Sequence, residues 1–273
     1  MTNKPVRSRA TAKRGKRQTD YETILLEVKN SIATITMNRP EKHNACSVKM
    51  FREIDDALSQ IEGDEAVKVV VITGAGDRAF SSGVDFADLE FKDLSASNAF
   101  VETDARMFRH LESIPQPVIA AINGYAYGYG CKIAIVSDIA IASERARFGL
   151  QGITVGAVHV ITLGRGRGSL GRGRLGYLLL SGETIDAQKA EQWGLVAKVV
   201  PHDKLHQEVE SMAMTIAEYP PLGVRTIRKM LHRGHDDDYL WEDLLSPGLL
   251  LMEDLDEGRR AFQEKRKPKF KGK

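Results

Sequence analysis

Two glycine-containing segments of the chain have a composition suited to binding an oxyanion. They are residues 74–85 (GAGDRAFSSGVD) and 121–132 (AINGYAYGYGCK), and each follows an apolar run and leads to an expected helix start. Glycine lets backbone approach a ligand closely, and the first N–H groups of a helix have no acceptor within the helix. Two such N–H groups that meet at one oxygen form an oxyanion hole, which stabilises charge that develops during a reaction. Either segment alone is a weak signal, and the pair is a stronger one.

The elements that must position these segments follow an alternating pattern. Residues 24–37 predict two strands joined around residues 29–31, and Ser47 is suited to cap an amphipathic helix that follows it. Nearly continuous apolar runs at 67–73 and 117–123 indicate strands that are covered on both faces. The remaining expected elements are a helix at 101–111, a Gly-punctuated helix start at 124–132, a strand at 139–142, a helix at 186–193, a strand at 196–200 and helix from 204 onward. This alternation predicts an α/β fold with mainly parallel pairing.

Charge and composition divide the chain. Residues 1–19 carry seven Lys or Arg and no acid. We therefore expect a disordered basic tail, and the alternative is a tail that binds a polyanion. Residues 20–201 are expected to form the core and residues 202–273 a helical C-terminal region, with Asp236, Asp237 and Asp238 at a helix N-terminus. Residues 164–176 (GRGRGSLGRGRLG) predict a flexible basic loop, with an anion-binding surface as the alternative.

With these segments the chain resembles the crotonase (enoyl-CoA hydratase/isomerase) superfamily. The resemblance spans roughly residues 20–270. It rests on the segments 33–45 (ATITMNRPEKHNA), 79–89 (AFSSGVDFADL), 117–131 (PVIAAINGYAYGYGC), 137–149 (SDIAIASERARFG), 180–200 and 261–272.

The resemblance implies a crotonase-like spiral of ββα repeats with a helical C-terminal trimerisation region. It implies an acyl-CoA thioester as substrate, with its carbonyl oxygen held by the backbone N–H groups of Val84 and Tyr129. Coenzyme A is then part of the substrate, and neither a metal nor another cofactor is expected. The expected assembly is a homotrimer or a dimer of trimers.

The chain departs from the family pattern at both catalytic carboxylates. Lys132 stands where family hydratases have one Glu, and Gly152 stands where they have the other. Hydration needs one group to activate water and another to protonate carbon, so these replacements argue against a standard hydratase. We expect a C–C hydrolase, a decarboxylase or an isomerase-like enzyme instead. The alternatives are a catalytically silent acyl-CoA-binding protein and a hydratase whose carboxylates come from residues 88–100, where Asp88 and Glu90 lie.

Substitutes for the missing carboxylates can be named, each with a plainer alternative. Lys132 either acts as acid, base or electrostatic clamp, or extends to solvent or to a CoA phosphate. His159 lies in residues 157–161, which replace the family's Pro-Gly-Ala-Gly-Gly loop, and it is either an acid–base group or structural. Tyr129 either packs at the pocket wall or hydrogen-bonds the acyl group, and Asp85 is expected to cap the helix start that follows it. The remaining expected substrate-binding residues are Arg39, Lys42, Ser82, Val84, Phe86, Ala87 and Tyr127, with Lys269 and Lys271 as further CoA contacts.

Composition excludes several other classes. No apolar run approaches the roughly 20 residues of a membrane span, so no membrane partner is expected. The two cysteines, Cys46 and Cys131, rule out a disulfide framework, fit a reducing compartment and lack the spacing of a zinc site. We therefore expect a cytoplasmic protein, with nucleic acid as a partner only if the basic tail binds it.

Overall fold

The computed structural model describes residues 20–158, 160–234 and 236–272; the predicted basic tail and His159 lie outside these ranges. Its larger sheet has six strands in the order β1-β2-β3-β5-β7-β10, and every neighbouring pair is parallel except the β1–β2 hairpin. Asn30 and Ser31 form the hairpin turn with φ of 50° and 62°, as a two-residue turn of this hand requires. The strands are β1 (Ile24–Lys29), β2 (Ile32–Met37), β3 (Val69–Gly74), β5 (Val118–Ile122), β7 (Ile139–Ser143) and β10 (Lys198–Val200).

A second, smaller sheet has the order β4-β6-β8-β9, with β4, β6 and β8 parallel and β9 antiparallel to β8. Its strands are β4 (Ala79–Ser81), β6 (Tyr125–Tyr127), β8 (Arg147–Gly149) and β9 (Thr184–Asp186). Together with the larger sheet they produce three successive ββα repeats, namely β3-β4-α2, β5-β6-α3 and β7-β8-α4. The repeat architecture that the resemblance implies is therefore present.

Nine helices lie within the described residues, and none of them has the length and apolar character needed to cross a membrane. Ser47 caps the first, because its hydroxyl accepts a hydrogen bond from the Met50 N–H at 3.2 Å, as the sequence predicted. The helices are α1 (Val48–Glu62), α2 (Leu94–Ser113), α3 (Tyr129–Val136), α4 (Val160–Ser181), α5 (Ala187–Trp193), α6 (Leu205–Ala217), α7 (Pro221–Leu231), α8 (Asp236–Leu249) and α9 (Glu253–Gln263).

Strands β3 and β5 of the larger sheet are buried on both faces, which explains their continuous apolar runs. In β3, Val70 and Ile72 join the main core with α1, α2 and α3, whereas Val69 and Val71 pack against α6. Alternate residues of a strand point to opposite faces, so both faces of β3 require apolar side chains.

A buried ion network fixes the C-terminal helices to the body. Arg165 of α4 makes two hydrogen bonds to Glu112 of α2, at 2.7 and 2.9 Å. Arg228 of α7 donates to Asp138 at 2.8 Å, and His232 lies 2.7 Å from the same carboxylate. Burial disfavours the charged form of His232, but its bonds to Asp138 and Glu112 more than offset this and raise its pKa to about 9.

The Arg-Gly segment is helical, so the prediction of a flexible loop at 164–176 is wrong. These residues lie within α4, whose axis is interrupted at Gly171 with φ 71° and ψ 163°. Leu170, Leu175 and Leu178 are buried and hold the segment to the core, while Arg167 is exposed. Glycine is a poor helix former, so helix propensity alone does not predict a helix in this segment. Tertiary packing stabilises the helix instead.

Candidate active site

In the first glycine segment, the Val84 N–H points away from Cys46, the residue with which Val84 pairs. Val84 forms an isolated parallel bridge with Cys46, in which the Cys46 N–H donates to Gly83 O at 2.7 Å and the Asp85 N–H donates to Cys46 O at 2.8 Å. In this pattern the N–H of the central residue points to the opposite side. Across residues 20–158, 160–234 and 236–272, no protein acceptor takes the Val84 N–H.

The second segment ends in a helix start. Strand β6 ends at Tyr127, Gly128 turns the backbone with φ 49° and ψ −110°, and α3 begins at Tyr129. The Tyr129 N–H therefore belongs to the first turn, where N–H groups point out of the helix end and create a positive electrostatic potential. The prediction of helix from residue 124 is wrong in one respect, because 125–127 form a strand.

The two segments meet at one edge of the smaller sheet. Strands β4 and β6 are parallel, so their carboxyl ends, from which residues 83–84 and 128–129 continue, lie on the same side. A Cβ atom on Gly83 would lie 3.4 Å from the carbonyl oxygen of Tyr127 and 3.8 Å from the Gly128 Cα. One on Gly130 would lie 2.6 Å from Ser81 O, so glycine is required there for the two backbones to approach.

Basic side chains surround the outer end of the first segment. Asp85 accepts hydrogen bonds from Arg39 at 2.7 Å and from Lys42 at 3.1 Å. Burial opposes ionisation of Asp85, but these bonds and one from the Ala87 N–H lower its pKa. Asp85 thus caps the 3-10 turn Phe86–Asp88, as predicted, and also pairs with two cations, the half-exposed Lys42 and the largely buried Arg39.

Other predicted binding residues lie around the same edge. Ser82 donates from its backbone to His43 O at 3.0 Å, and Tyr127 stacks on Tyr125 with ring centroids 5.4 Å apart. Phe86 contacts Phe262 of α9 at a centroid distance of 4.8 Å. Helix α9 therefore packs beside the first segment.

Lys132 points into the protein, and the alternative that it extends to solvent or to a CoA phosphate is wrong. Its side chain is 3% exposed, and Nζ lies 3.2 Å from both carboxylate oxygens of Asp104 and 3.7 Å from Glu242. The ammonium also lies 3.9 Å from the centre of the Phe108 ring. A buried lysine is tolerated when it is paired in this way.

Tyr129 belongs to the same buried group. Its hydroxyl donates to Asp104 at 2.6 Å, and its ring packs between Phe51 at 5.0 Å and Phe108 at 6.0 Å. Burial, reinforced by the Asp104 charge, raises the pKa of Tyr129 well above the ordinary value, so the side chain remains a neutral phenol. We call Tyr129, Lys132, Asp104 and Glu242 the acyl-end cluster.

Glu242 reaches the cluster from α8. Its carboxylate accepts a hydrogen bond from the Ile161 N–H at the start of α4, at 3.0 Å. Burial raises the pKa of Glu242, and the nearby Asp104 charge adds to this while Lys132 opposes it. The protonated form of this carboxyl is therefore favoured more than it would be in water.

Comparison with known proteins assigns the chain to a family. The model of the family described as Enoyl-CoA hydratase/isomerase matches residues 27–273. The chain belongs to this family. A probable enoyl-CoA hydratase of Mycobacterium bovis is 34% identical over 259 residues, which cover 92% of this chain and 98% of that protein. A crotonyl-CoA hydratase of Syntrophomonas wolfei is 35% identical over 258 residues, with the same coverage of 92% and 98%. The crystal structure of an enoyl-CoA hydratase from Mycobacterium avium subsp. paratuberculosis has a TM-score of 0.84 at 28% identity, and covers 92% of this chain and 100% of that one.

In this enoyl-CoA hydratase/isomerase family member, Gly152 occupies the second position at which family hydratases have a Glu, and it has no acidic side chain. Gly152 lies in the 3-10 turn Gln151–Val155, and its carbonyl accepts from the Ala157 N–H at 2.8 Å. The carboxylates of residues 88–100 have other partners: Asp88 accepts from the Val48 N–H at 2.8 Å, and Glu90 lies 2.6 Å from Arg259. Neither is part of the acyl-end cluster.

Two residues of the cluster were missed at the sequence level. Asp104 lies between Val101 and Phe108 on the apolar face of α2, and a charged residue on an apolar face was a usable signal. Glu242 comes from the C-terminal region, about 110 residues after Lys132, and no local pattern marks it.

Thiolate and metal chemistry receive no specific support. Burial raises the pKa of both Cys46 and Cys131 to about 12, so each remains a thiol. Within the described part of the chain, no three His, Cys, Asp or Glu side chains group as they would around a metal ion.

Proposed function

We propose that this enoyl-CoA hydratase/isomerase family member decarboxylates a 2-carboxyacyl-CoA, with the thioester oxygen held by the N–H groups of Val84 and Tyr129. The observation that carries the proposal is the meeting of the two segments at the carboxyl ends of β4 and β6. Lys42, half exposed beside Asp85, is suited to contact the phosphates of coenzyme A, and Arg39, 14% exposed, pairs with the same carboxylate.

Two preorganised N–H donors are most valuable when the carbonyl oxygen becomes negative. A thioester enolate carries that charge, whereas the ground-state carbonyl is only polarised. Because the donors are backbone groups fixed by β4, β6 and α3, they need no reorganisation during the reaction. The site is thus complementary to the enolate rather than to the substrate.

Decarboxylation demands the fewest side chains among reactions that pass through this enolate. The bond from the α-carbon to the carboxylate breaks, its electron pair forms the enolate, and CO₂ leaves. The α-carbon then takes one proton, which gives a saturated acyl-CoA. Hydration and C–C hydrolysis need an activated water, and isomerisation needs a base that abstracts a carbon-bound proton. Lys132 is already paired, and Gly152 offers no base.

The proton for the α-carbon has two candidate sources among the side chains. Glu242, whose pKa is raised by burial, is one of them and lies within the acyl-end cluster. His159 is the other, and it lies outside the described residues. Bulk water entering after CO₂ has left would serve in place of either.

A catalytically silent acyl-CoA-binding protein is the second candidate. The observation in its favour is the pairing of Lys132 with Asp104 and Glu242. This pairing gives Lys132 a structural role, so that no catalytic role is needed to explain its presence. The oxyanion pair favours the enzyme, since a binding protein gains little from two donors at one oxygen.

For the assembly we propose a homotrimer or a dimer of trimers. Helices α7 and α8 expose many large apolar side chains, and exposed apolar surface of this kind favours burial against another copy of the chain. These side chains are Leu222, Ile227, Met230, Leu231, Leu240, Trp241 and Leu244. Light scattering coupled to size-exclusion chromatography tests the proposal, and a monomer at micromolar concentration would contradict it.

The proposed reaction is tested by CO₂ release from malonyl-, methylmalonyl- and ethylmalonyl-CoA, with crotonyl-CoA hydration measured in parallel. We expect release from at least one and little hydration. Val84→Pro removes an N–H that has no described protein acceptor, so kcat should fall about 10²-fold or more while binding changes little. In the control Lys42→Ala, KM should rise while kcat is retained. Full activity of Val84→Pro, or hydration alone, would refute the proposal; binding without turnover of any thioester would support the silent protein.

A further inference from the structure

The position of the Tyr129 ring constrains the acyl group of the substrate. A thioester carbonyl carbon carries two substituents besides its oxygen, the sulfur of coenzyme A and the acyl chain. Coenzyme A is large and charged and must extend to solvent, on the side where Arg39 and Lys42 lie. The acyl chain must therefore extend the opposite way, into the protein.

The interior on that side is already occupied. Tyr129, whose N–H is one of the two proposed donors, is 9% exposed and directs its ring between Phe51 and Phe108. Lys132 follows three residues later on the same face of α3, and it contacts the same Phe108 ring and the same Asp104 carboxylate. The ring and the ammonium thus form one continuous wall.

The wall is also difficult to displace. Asp104 is 2% exposed and receives bonds from both Tyr129 and Lys132, while Glu242 is tied to the start of α4. To admit a longer chain, the protein would have to move a buried cation away from two buried carboxylates. The cost of unpaired buried charge opposes that movement.

We infer that the acyl-end cluster restricts this enzyme to short acyl groups, with the Tyr129 ring as the specificity-determining element. The inference rests on the proposed function, because it places the thioester oxygen at the Tyr129 N–H. It adds the substrate class, namely acyl-CoA thioesters with a short acyl chain. Ordinary apolar pockets gain affinity with each added methylene, so the expected trend with chain length is opposite to that of a simple apolar pocket.

The test is calorimetric binding of acetyl-, butyryl-, octanoyl- and dodecanoyl-CoA to the full chain. For the wild type we expect octanoyl-CoA to bind at least tenfold more weakly than butyryl-CoA. Tyr129→Ala keeps the backbone N–H but removes the ring, and it should reduce that ratio at least tenfold. Tyr129→Phe keeps the ring and loses only the bond to Asp104, so its ratio should remain that of the wild type.

Each outcome decides the matter. Equal or tighter binding of octanoyl-CoA to the wild type overturns the inference without any variant, which also covers the case in which Tyr129→Ala fails to fold. An unchanged ratio in folded Tyr129→Ala, or a ratio in Tyr129→Phe that falls as far as in Tyr129→Ala, assigns the limit elsewhere and overturns it too. Failure of every thioester to bind refutes the proposed function and this inference together. Preference for short chains without CO₂ release refutes only the proposed reaction.

Discussion

Replacing Lys132 by methionine should destabilise the fold far more than a typical lysine substitution. The side chain is 3% exposed, and its ammonium lies between the carboxylates of Asp104 and Glu242 at 3.2 and 3.7 Å. Methionine is close to lysine in length, so packing is largely kept while the charge is lost. Removing one partner of a buried ion pair costs about 3–5 kcal/mol, because the remaining charge stays buried without compensation.

The assay is urea denaturation at a fixed protein concentration, since oligomerisation also contributes to apparent stability. With a slope of about 3 kcal/mol per molar urea, the midpoint should fall by about 1 M or more. The matched control is Lys189→Met: Lys189 is exposed beside Trp193, and its loss should change stability by less than about 0.5 kcal/mol. Adding Asp104→Asn to Lys132→Met should recover part of the loss, because one uncompensated carboxylate is removed.

The loss in Lys132→Met should also depend on pH. Burial already raises the pKa of Glu242, and removing the lysine removes a charge that opposes this. The folded state then holds a proton that the unfolded state releases, so stability falls as pH rises above the unfolded pKa of about 4.3. The deficit should therefore be larger at pH 8 than at pH 5. A cost below about 1 kcal/mol at both pH values would refute the description of a buried, charge-paired cluster.

Two further predictions concern the C-terminal helices. The pKa of His232 is raised to about 9, so its ion pair with Asp138 stabilises the fold fully below about pH 6.5, and this contribution is lost as pH rises through 9. The melting temperature should therefore decline over this pH range. In His232→Gln the decline should be smaller. A Cβ atom on Gly258 would lie 2.3 Å from Val155 O, so Gly258→Ala should lower the melting temperature by several degrees. The control is Gly223→Ala in α7, where a Cβ atom would meet no other atom within 4 Å, and it should leave the melting temperature unchanged or raise it. Equal melting temperatures for the two alanine variants would contradict the tight packing of α9 on residues 151–155.

Much of the larger sheet and its helices could be predicted from local pattern. The strand at 117–123, the helix capped by Ser47 and the helix beginning at Asp236 all follow from apolar periodicity or capping chemistry. The smaller sheet could not be predicted in the same way, because its strands have three residues each, too few for alternation to be recognised. Their pairing depends on contacts made across the chain, such as β4 with β6.

The Arg-Gly helix shows the opposite limitation. Its composition indicates a loop, since every glycine weakens a helix, yet Leu170, Leu175 and Leu178 bury one side of it. Those leucines were visible in the sequence, at spacings of five and three residues. The break at Gly171 displaces the two halves of the helix, so a uniform helical period could not identify them.

The backbone part of the candidate site could be anticipated from the resemblance, which implies positions 84 and 129, whereas the side chains around Lys132 could not. A Cβ atom on Gly83 would lie 3.4 Å from Tyr127 O and one on Gly130 2.6 Å from Ser81 O, which is why glycine stands at these two positions. The environment of Lys132 depends on Asp104 and Glu242, which other helices deliver. A lysine in the first turn of a helix is disfavoured by the helix dipole, and that local conflict was itself a sign that something distant compensates. Here the buried carboxylates of Asp104 and Glu242 do so.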